Sequence, residues 1–167
     1  MPLLQYNWEA HVGNTLVNEQ LNYDRDEEHD RAAQREPRLN GDQRSAYDCV
    51  LDLVRNIHGH MFFLNGPGGT GKTFVYNTLC HQLRSEGTIV LCVASSGIAA
   101  LLLKGGHTAH SMFKILVEDI HSDSVCNVTK ESHLTGLLCL AKLIIWDEAT
   151  MQLHYAFEAV DRTCRDV

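Results

Sequence analysis

Hydrophobic and polar residues along this chain follow two alternating patterns, one typical of helices and one of buried strands. After Asn40, apolar residues recur every three or four positions, which predicts an amphipathic helix that ends near Gly59. Further helices are expected at residues 72–86, 98–103 and 134–140. Continuous apolar runs, typical of strands buried on both faces of a parallel sheet, cover residues 61–65, 88–94 and 143–146. Because strands alternate with helices, we expect an α/β fold in which helices flank a parallel sheet.

Charge divides the chain into two parts. Residues 1–36 contain eight acidic and three basic residues, whereas the remaining residues contain 13 acidic and 11 basic ones. We therefore predict an acidic N-terminal arm over residues 1–37 and a domain over residues 38–167. The acidic run at residues 24–30 is interpreted as a solvated helix face or a flexible lead-in.

A glycine-rich turn follows the first apolar run and opens the helix at residues 72–86. It reads GPGGTGKT and matches the phosphate-binding P-loop pattern G-x-x-x-x-G-K-[ST] in full. Glycines let the backbone turn its N–H groups toward phosphates, and a helix N-terminus favours negative charge. Lys72 would add a cation for the outer phosphates, and Thr73 a hydroxyl for Mg²⁺. The predicted nucleotide-binding residues of the loop are Gly66, Pro67, Gly68, Gly69, Thr70, Gly71, Lys72 and Thr73. The alternative is a glycine-rich turn with an incidental lysine.

Two carboxylates, Asp147 and Glu148, follow the last apolar run. Ligands bind at the carboxyl ends of the strands in open α/β sheets, so this position favours a role in the same site. We predict that Asp147 holds Mg²⁺ together with Thr73, and that Glu148 orients or deprotonates the attacking water. With Lys72, these two carboxylates are the predicted catalytic residues. The alternative is a strand followed by a solvated turn.

Composition favours an intracellular protein. No segment approaches the roughly 18 apolar residues of a membrane span, and the N-terminal sequence has no basic start, so no membrane association is expected. The six cysteines lack C-x-x-C spacing and fall mostly in apolar segments, which favours buried free thiols in a reducing compartment. His107 and His110 could form a metal pair, but no second pair accompanies them.

The net charge of −7 argues against a broad basic surface that coats DNA. Because the acidic excess is concentrated in residues 1–36, the rest of the chain is nearly balanced in charge. Such a domain can still hold a local groove for a single strand.

Four motifs together resemble a known family. They are LNGDQR at residues 39–44, GPGGTGKT at 66–73, VASSGIAALLLKGGHTAHSMFKI at 93–115 and LIIWDEATM at 143–151. Their order is similar to that in superfamily 1 DNA helicases of the petite-integration-frequency (Pif) type, and in particular to the branch associated with helitron elements. The resemblance covers residues 38–167 and is weaker around residues 21–24.

The resemblance implies further site residues. Gln43 would read the adenine of ATP, since a side-chain amide can both donate and accept a hydrogen bond; the alternative is an ordinary glutamine at a helix start. The residues in segments that grip single-stranded DNA would be Ser95, Ser96, Thr108, His110 and Ser111. The alternatives are that Ser111 caps a helix and that Met112 and Phe113 belong to the core.

The activity that this resemblance implies is that of an ATP-dependent DNA helicase that moves 5′–3′ on single-stranded DNA. Roles in DNA repair, recombination and DNA damage, and a location in the nucleus rather than the mitochondrion, are expected with it. In such helicases a polar sensor motif, arginine fingers and a second motor domain follow the DEA strand. We therefore expect a first RecA-like motor domain, incomplete at the C-terminus, or a gene fragment. Thr150 stands where relatives commonly have proline.

Two other classes of function remain open. A P-loop GTPase or small-molecule kinase shares the phosphate loop, although no N-K-x-D guanine motif is present. The other class is a catalytically silent fragment that only binds nucleotide.

Overall fold

A computed structural model describes residues 13–56, 59–116 and 119–166. The helices are α1 (Thr15–Leu21), α2 (Arg25–Arg35), α3 (Gly41–Arg55), α4 (Lys72–Ser85), α5 (Gly97–Leu102), α6 (Ala109–Phe113), α7 (His133–Leu140) and α8 (His154–Asp166). The strands are β1 (Val90–Ala94), β2 (Gly106–Thr108) and β3 (Leu143–Asp147), and short 3₁₀ turns cover Glu36–Arg38 and Ala149–Met151. The strands form one parallel sheet in the order β2-β1-β3. The predicted α/β class is therefore confirmed.

The register of the sheet brings the predicted site residues to one edge. Ala94, the last residue of β1, is paired with Thr108 of β2 on one side and with Asp147 of β3 on the other. Since all three strands are parallel, the segments that follow them leave the sheet side by side.

Side-chain caps explain where several helices begin. Asn40 and Gln43 form a reciprocal capping box at the start of α3, as the pattern after Asn40 predicts. Ser96 caps α5 by accepting a hydrogen bond from the Ala99 N–H. For α6 the expected cap, Ser111, is wrong: the cap is Thr108, and Ser111 supplies the N–H that it accepts.

The predicted strand at residues 61–65 is absent. Its Met61 and Phe63 side chains are 94% and 70% exposed, and the sheet formed by the described residues ends at β2 on one side and at β3 on the other. An apolar run becomes a strand only when a neighbouring backbone completes its ladder of hydrogen bonds. No described residue provides that ladder for residues 61–65, so the apolar pattern alone overestimates the sheet.

Strand β1 lies at the centre of the core, and all five of its residues are buried. On one face its side chains pack with α3, α4 and α5, where Tyr47, Leu79 and Ala99 are buried. On the other face Val93 packs with α6 and α8, and Leu91 with α1 and α7. Helix α8 was not predicted, although its buried Ala156, Ala159, Val160 and Thr163 recur at helical spacing.

Helix α2 carries the acidic run and packs against α4. Asp24, Asp26, Glu27 and Asp30 are exposed, which fits a solvated helix face. Glu28 is the exception at 1% exposed, with its carboxylate 2.7 Å from Nδ1 of His81 and 3.7 Å from Nζ of Lys104. The arm therefore places one buried carboxylate against the helix that begins at the P-loop.

The structure bears on two features that were considered from composition, the burial of the cysteines and the presence of membrane-spanning helices. Cys80, Cys92 and Cys126 are buried, as expected, whereas Cys49, Cys139 and Cys164 are exposed, so burial was overestimated. Within the described ranges, no helix has both the length and the apolar character needed to cross a membrane.

Candidate nucleotide site

The P-loop forms the turn that leads into α4. Gly69 and Gly71 adopt φ of +79° and +80°, a conformation that residues with a Cβ rarely adopt. Gly71 is also the N-cap of α4, so Lys72 and Thr73 are the first two residues of that helix. The loop glycines thus allow the backbone to turn directly into a helix N-terminus, where N–H groups and the helix dipole favour an anion.

Lys72 folds back over this loop. Its Nζ donates hydrogen bonds to the carbonyl oxygens of Gly66, at 2.6 Å, and Pro67, at 3.0 Å. The ammonium group therefore lies beside the same backbone that is predicted to hold phosphates. Both acceptors are neutral carbonyls, which a phosphate oxygen can replace with a stronger, charge-assisted partner.

Thr73 and Asp147 meet across the site. The Thr73 hydroxyl donates to Oδ2 of Asp147 at 3.4 Å, which joins the start of α4 to the end of β3. Asp147 is 8% exposed. Burial of the Tyr76 side chain, and then the charge of Asp147, raise the pKa of Tyr76. These two oxygens belong to the hard donor type that Mg²⁺ prefers, and Mg²⁺ characteristically takes its remaining ligands from phosphate and water. The described residues contain no cluster of three or more His, Cys, Asp or Glu side chains that could hold a metal, the His107 and His110 region included.

Glu148 occupies a strained turn after β3. Its φ of +53° and ψ of +33° lie in the left-handed region, which a residue with a Cβ adopts only when neighbouring contacts fix it. Its N–H donates to Oδ1 of Asp147 at 2.9 Å, and its carboxylate accepts a hydrogen bond from the Ser96 hydroxyl at 2.7 Å. The side chain is otherwise exposed, as a group that handles solvent water must be.

Gln43 reaches the P-loop from the start of α3. Its Nε2 donates to the Thr70 carbonyl at 2.9 Å, while its Oε1 accepts the Asn40 N–H in the capping box at 3.0 Å. The structure therefore brings Gln43 to the nucleotide loop and also gives it the capping role that was the alternative. Contact with adenine stays a prediction.

The five residues predicted to contact DNA lie along the carboxyl edge of the sheet, and most of them make contacts within the protein. Ser95 Oγ accepts from Trp146 Nε1 at 3.1 Å, and Ser96 Oγ donates to Glu148. Thr108 Oγ1 accepts from the Ser111 N–H at 3.2 Å, and Nε2 of His110 lies 3.5 Å from Nε2 of Gln152. DNA contact by these residues stays a prediction.

The aromatic alternative is confirmed for Phe113. This side chain is buried in the core and stacks on Trp146 with ring centroids 5.6 Å apart. Met112 is partly buried against the same cluster. Neither side chain is therefore presented to solvent as a full platform for a base.

Sequence reasoning missed two arginines beside the P-loop helix. The guanidinium groups of Arg35 and Arg38 lie 4.3 Å and 5.4 Å from the ring centroid of Phe74, in the first turn of α4. Burial, and then the charge of Arg38, lower the pKa of Arg35. No pattern in the sequence singled them out, because both precede the first of the quoted motifs, at residues 39–44, and neither belongs to a phosphate motif.

Comparisons with known proteins agree with this geometry. The model of the PIF1-like helicase family matches residues 38–167. ATP-dependent DNA helicase PIF4 of Trypanosoma brucei brucei (strain 927/4 GUTat10.1) is 31% identical over 130 residues, which is 76% of this chain and 15% of that protein. ATP-dependent DNA helicase Pif1 of Psychrobacter sp. (strain PRwf-1) is 34% identical over 106 residues, which is 63% of this chain and 16% of that protein. The chain thus spans about one sixth of the length of these relatives. With a family match over most of its length, the chain belongs to the PIF1-like helicase family.

Proposed function

We propose that this chain is the ATP-binding motor domain of an ATP-dependent DNA helicase. The observation that carries the proposal is the contact between Thr73 and Asp147, which joins a complete P-loop to the acidic end of the parallel strand β3. The names of the relatives support the same activity. The domain itself corresponds to residues 38–167, and α2, which precedes it, packs against α4.

The loop residues bind the phosphates of ATP. Backbone N–H groups of the turn at residues 66–71 and the N-terminus of α4 face the negative charge. Lys72 exchanges the carbonyls of Gly66 and Pro67 for oxygens of the outer phosphates. Gln43, whose Nε2 donates to the Thr70 carbonyl beside the phosphate loop, would read the adenine base.

Thr73 and Asp147 are the residues that would hold Mg²⁺ bound with ATP. Mg²⁺ would neutralise charge on the phosphate oxygens during phosphoryl transfer. Glu148 accepts a proton from the attacking water, whose oxygen bonds to the γ-phosphorus as the bond to the ADP oxygen breaks. The exposed carboxylate at the end of β3 suits this role, because it needs access both to solvent and to the phosphate.

Single-stranded DNA would follow the carboxyl edge of the sheet, along Ser95, Ser96, Thr108, His110 and Ser111. The acidic arm and the net charge of −7 limit the affinity that one domain can supply. We propose that a second motor domain outside these residues completes the strand groove and delivers the arginine that phosphoryl transfer draws on. This chain matches only 15% and 16% of the length of two relatives, which supports a larger helicase with a second motor domain.

Finer features of the function are proposals that rest on resemblance. They are 5′–3′ movement, membership of the helitron-associated branch, roles in DNA repair, recombination and DNA damage, and a nuclear location. The motifs at residues 93–115 and 143–151 support the branch assignment.

Steady-state ATP hydrolysis by the purified chain tests this proposal. We expect slow hydrolysis with little stimulation by a thymidine oligonucleotide, since an arginine supplied from a second domain is worth about 10³ to 10⁵ in rate in comparable enzymes. Affinity for MgATP should exceed that for MgGTP. Stimulation of turnover by DNA of about 10³-fold or more in the isolated chain, or a preference for GTP, would contradict the proposal.

A further inference from the structure

The two serines after β1 use their hydroxyls differently. The backbone N–H of Ser95 donates to the Asp147 carbonyl at 3.2 Å, which extends the contact between β1 and β3 by one residue. The next residues, Ser96 and Glu148, therefore leave the sheet side by side. Here the Ser96 hydroxyl donates its hydrogen bond to Oε2 of Glu148 at 2.7 Å.

We propose that Ser96 is a positioning residue for Glu148, and that single-stranded DNA releases Glu148 by competing for the Ser96 hydroxyl. The inference rests on the proposed function, because it assigns a control element to the same carboxylate. One hydrogen bond, from Ser96 to Glu148, thus links the edge of the sheet that is proposed to bind DNA to the carboxylate that is proposed to activate water.

The competition follows from the number of protons on a hydroxyl. Ser96 Oγ accepts from the Ala99 N–H at 3.2 Å and donates its only proton to Glu148. A DNA phosphate is purely an acceptor, so Ser96 cannot donate to it while the contact with Glu148 persists. Ser95 differs, because its hydroxyl oxygen accepts a hydrogen bond from Trp146 Nε1. The hydroxyl proton of Ser95 therefore stays available for a DNA phosphate.

The backbone of Glu148 adds to this argument. Three contacts hold its left-handed conformation: its N–H donates to Asp147, its carbonyl accepts from the Met151 N–H at 3.0 Å, and its carboxylate accepts from Ser96. When Ser96 turns to a phosphate, only the two backbone contacts remain, and the carboxylate is free to move toward water. The negative phosphate also repels the negatively charged carboxylate.

Two neighbouring contacts also join the segments that follow β1 and β2 to β3 and the segment that follows it. Ser95 touches Trp146, and His110 lies beside Gln152, so the segments after β1 and β2 both contact residues 146–152. A DNA strand bound along these segments would therefore contact, at more than one point, residues that touch the turn containing Glu148.

Replacement of Ser96 by glycine removes the hydroxyl and so tests its role alone. Glycine is well tolerated at an N-cap position, so α5 should persist in Ser96→Gly. The matched control is Ser132→Gly, which removes the N-cap serine of α7, distant in sequence from both P-loop and carboxylates. Ser96→Thr keeps a hydroxyl at this position and is the conservative comparison for Ser96→Gly.

The first readout is ATP turnover without DNA. We expect the kcat of Ser96→Gly to rise about two- to tenfold, the factor that corresponds to one hydrogen bond, with an unchanged KM. Ser132→Gly should retain the original kcat, and the rise in Ser96→Thr should be smaller than in Ser96→Gly. An unchanged or lower kcat in Ser96→Gly would overturn the proposal.

The second readout needs no ATP, so it separates failure of this inference from failure of the proposed function. The carboxyl ¹³C resonance of Glu148, assigned by its loss in Glu148→Gln, is followed while a thymidine oligonucleotide is added. In the unaltered chain the resonance should move toward its position in Ser96→Gly, and in Ser96→Gly it should stay in place. The same resonance position in both free proteins, or no movement in the unaltered chain, would overturn the proposal.

Discussion

Three glycines of the P-loop allow the cost of a left-handed turn to be separated from the cost of a steric clash. A Cβ at Gly68 meets no atom within 4 Å, and its φ is outside the left-handed region. Gly69 has φ of +79° and the same open space. Gly71 has φ of +80°, and a Cβ there would lie 2.6 Å from Nε2 of Gln43. Alanine at these positions should therefore produce three different changes in stability.

The magnitudes follow from the geometry. Gly68→Ala should be neutral or more stable by about 0.4 to 1 kcal/mol, because it restricts the unfolded chain. Gly69→Ala should lose about 1 to 2 kcal/mol from the left-handed backbone. Gly71→Ala should lose that amount and about 0.5 to 1.5 kcal/mol more, since its Cβ displaces the Gln43 amide from the Thr70 carbonyl.

Urea unfolding of each variant measures these differences, with unchanged slopes as the sign of an intact folded state. In a Gln43→Ala background, Gly71→Ala should cost only as much as Gly69→Ala, because the displaced amide is gone. Equal losses for Gly69→Ala and Gly71→Ala in the unaltered background would refute the reasoning, as would a destabilised Gly68→Ala.

Two further predictions concern other residues. Glu148→Gln should retain MgATP affinity and lose turnover, whereas Asp147→Asn should weaken the dependence of binding on Mg²⁺; calorimetry and turnover assays that give both variants the same profile would refute this division of roles. Burial raises the pKa of Tyr47 to about 12, and its hydroxyl has no hydrogen-bond partner among the described residues. Stability should therefore be lost as the pH rises from about 10, where the unfolded tyrosine ionises, toward 12, and Tyr47→Phe should reduce that loss in urea unfolding experiments. Tyr76, whose pKa is also raised, should still contribute to it.

The P-loop and the carboxylates were predictable because their chemistry is local. Glycines, Lys72 and Thr73 are contiguous, and the capping box at Asn40 and Gln43 spans four residues, so short patterns contain the whole signal. The strand at residues 61–65 failed for the opposite reason. Its formation depends on a neighbouring strand, which the apolar pattern of the segment itself does not encode.

Contacts between distant segments could not be predicted from the sequence, because they also depend on a partner far along the chain. The burial of Glu28 depends on His81, which is 53 residues away, and nothing in an acidic run distinguishes this carboxylate from its neighbours. The contact of Ser96 with Glu148 depends on the register of β1 against β3, which aligns Ala94 with Asp147. Sequence reasoning assigned Ser96 to DNA alone because the register was unknown.

Titration calorimetry with MgATP on the unaltered chain and on Lys72→Ala tests the central claim, that this loop binds the phosphates of ATP, most directly. Loss of the ammonium group should weaken binding by about 1.5 to 3 kcal/mol, the range for hydrogen bonds to charged groups, which is roughly 10- to 150-fold in affinity. Lys130→Ala, at an exposed lysine in a turn, is the matched control and should retain the original affinity. Equal MgATP affinity for the unaltered chain and Lys72→Ala would contradict the account.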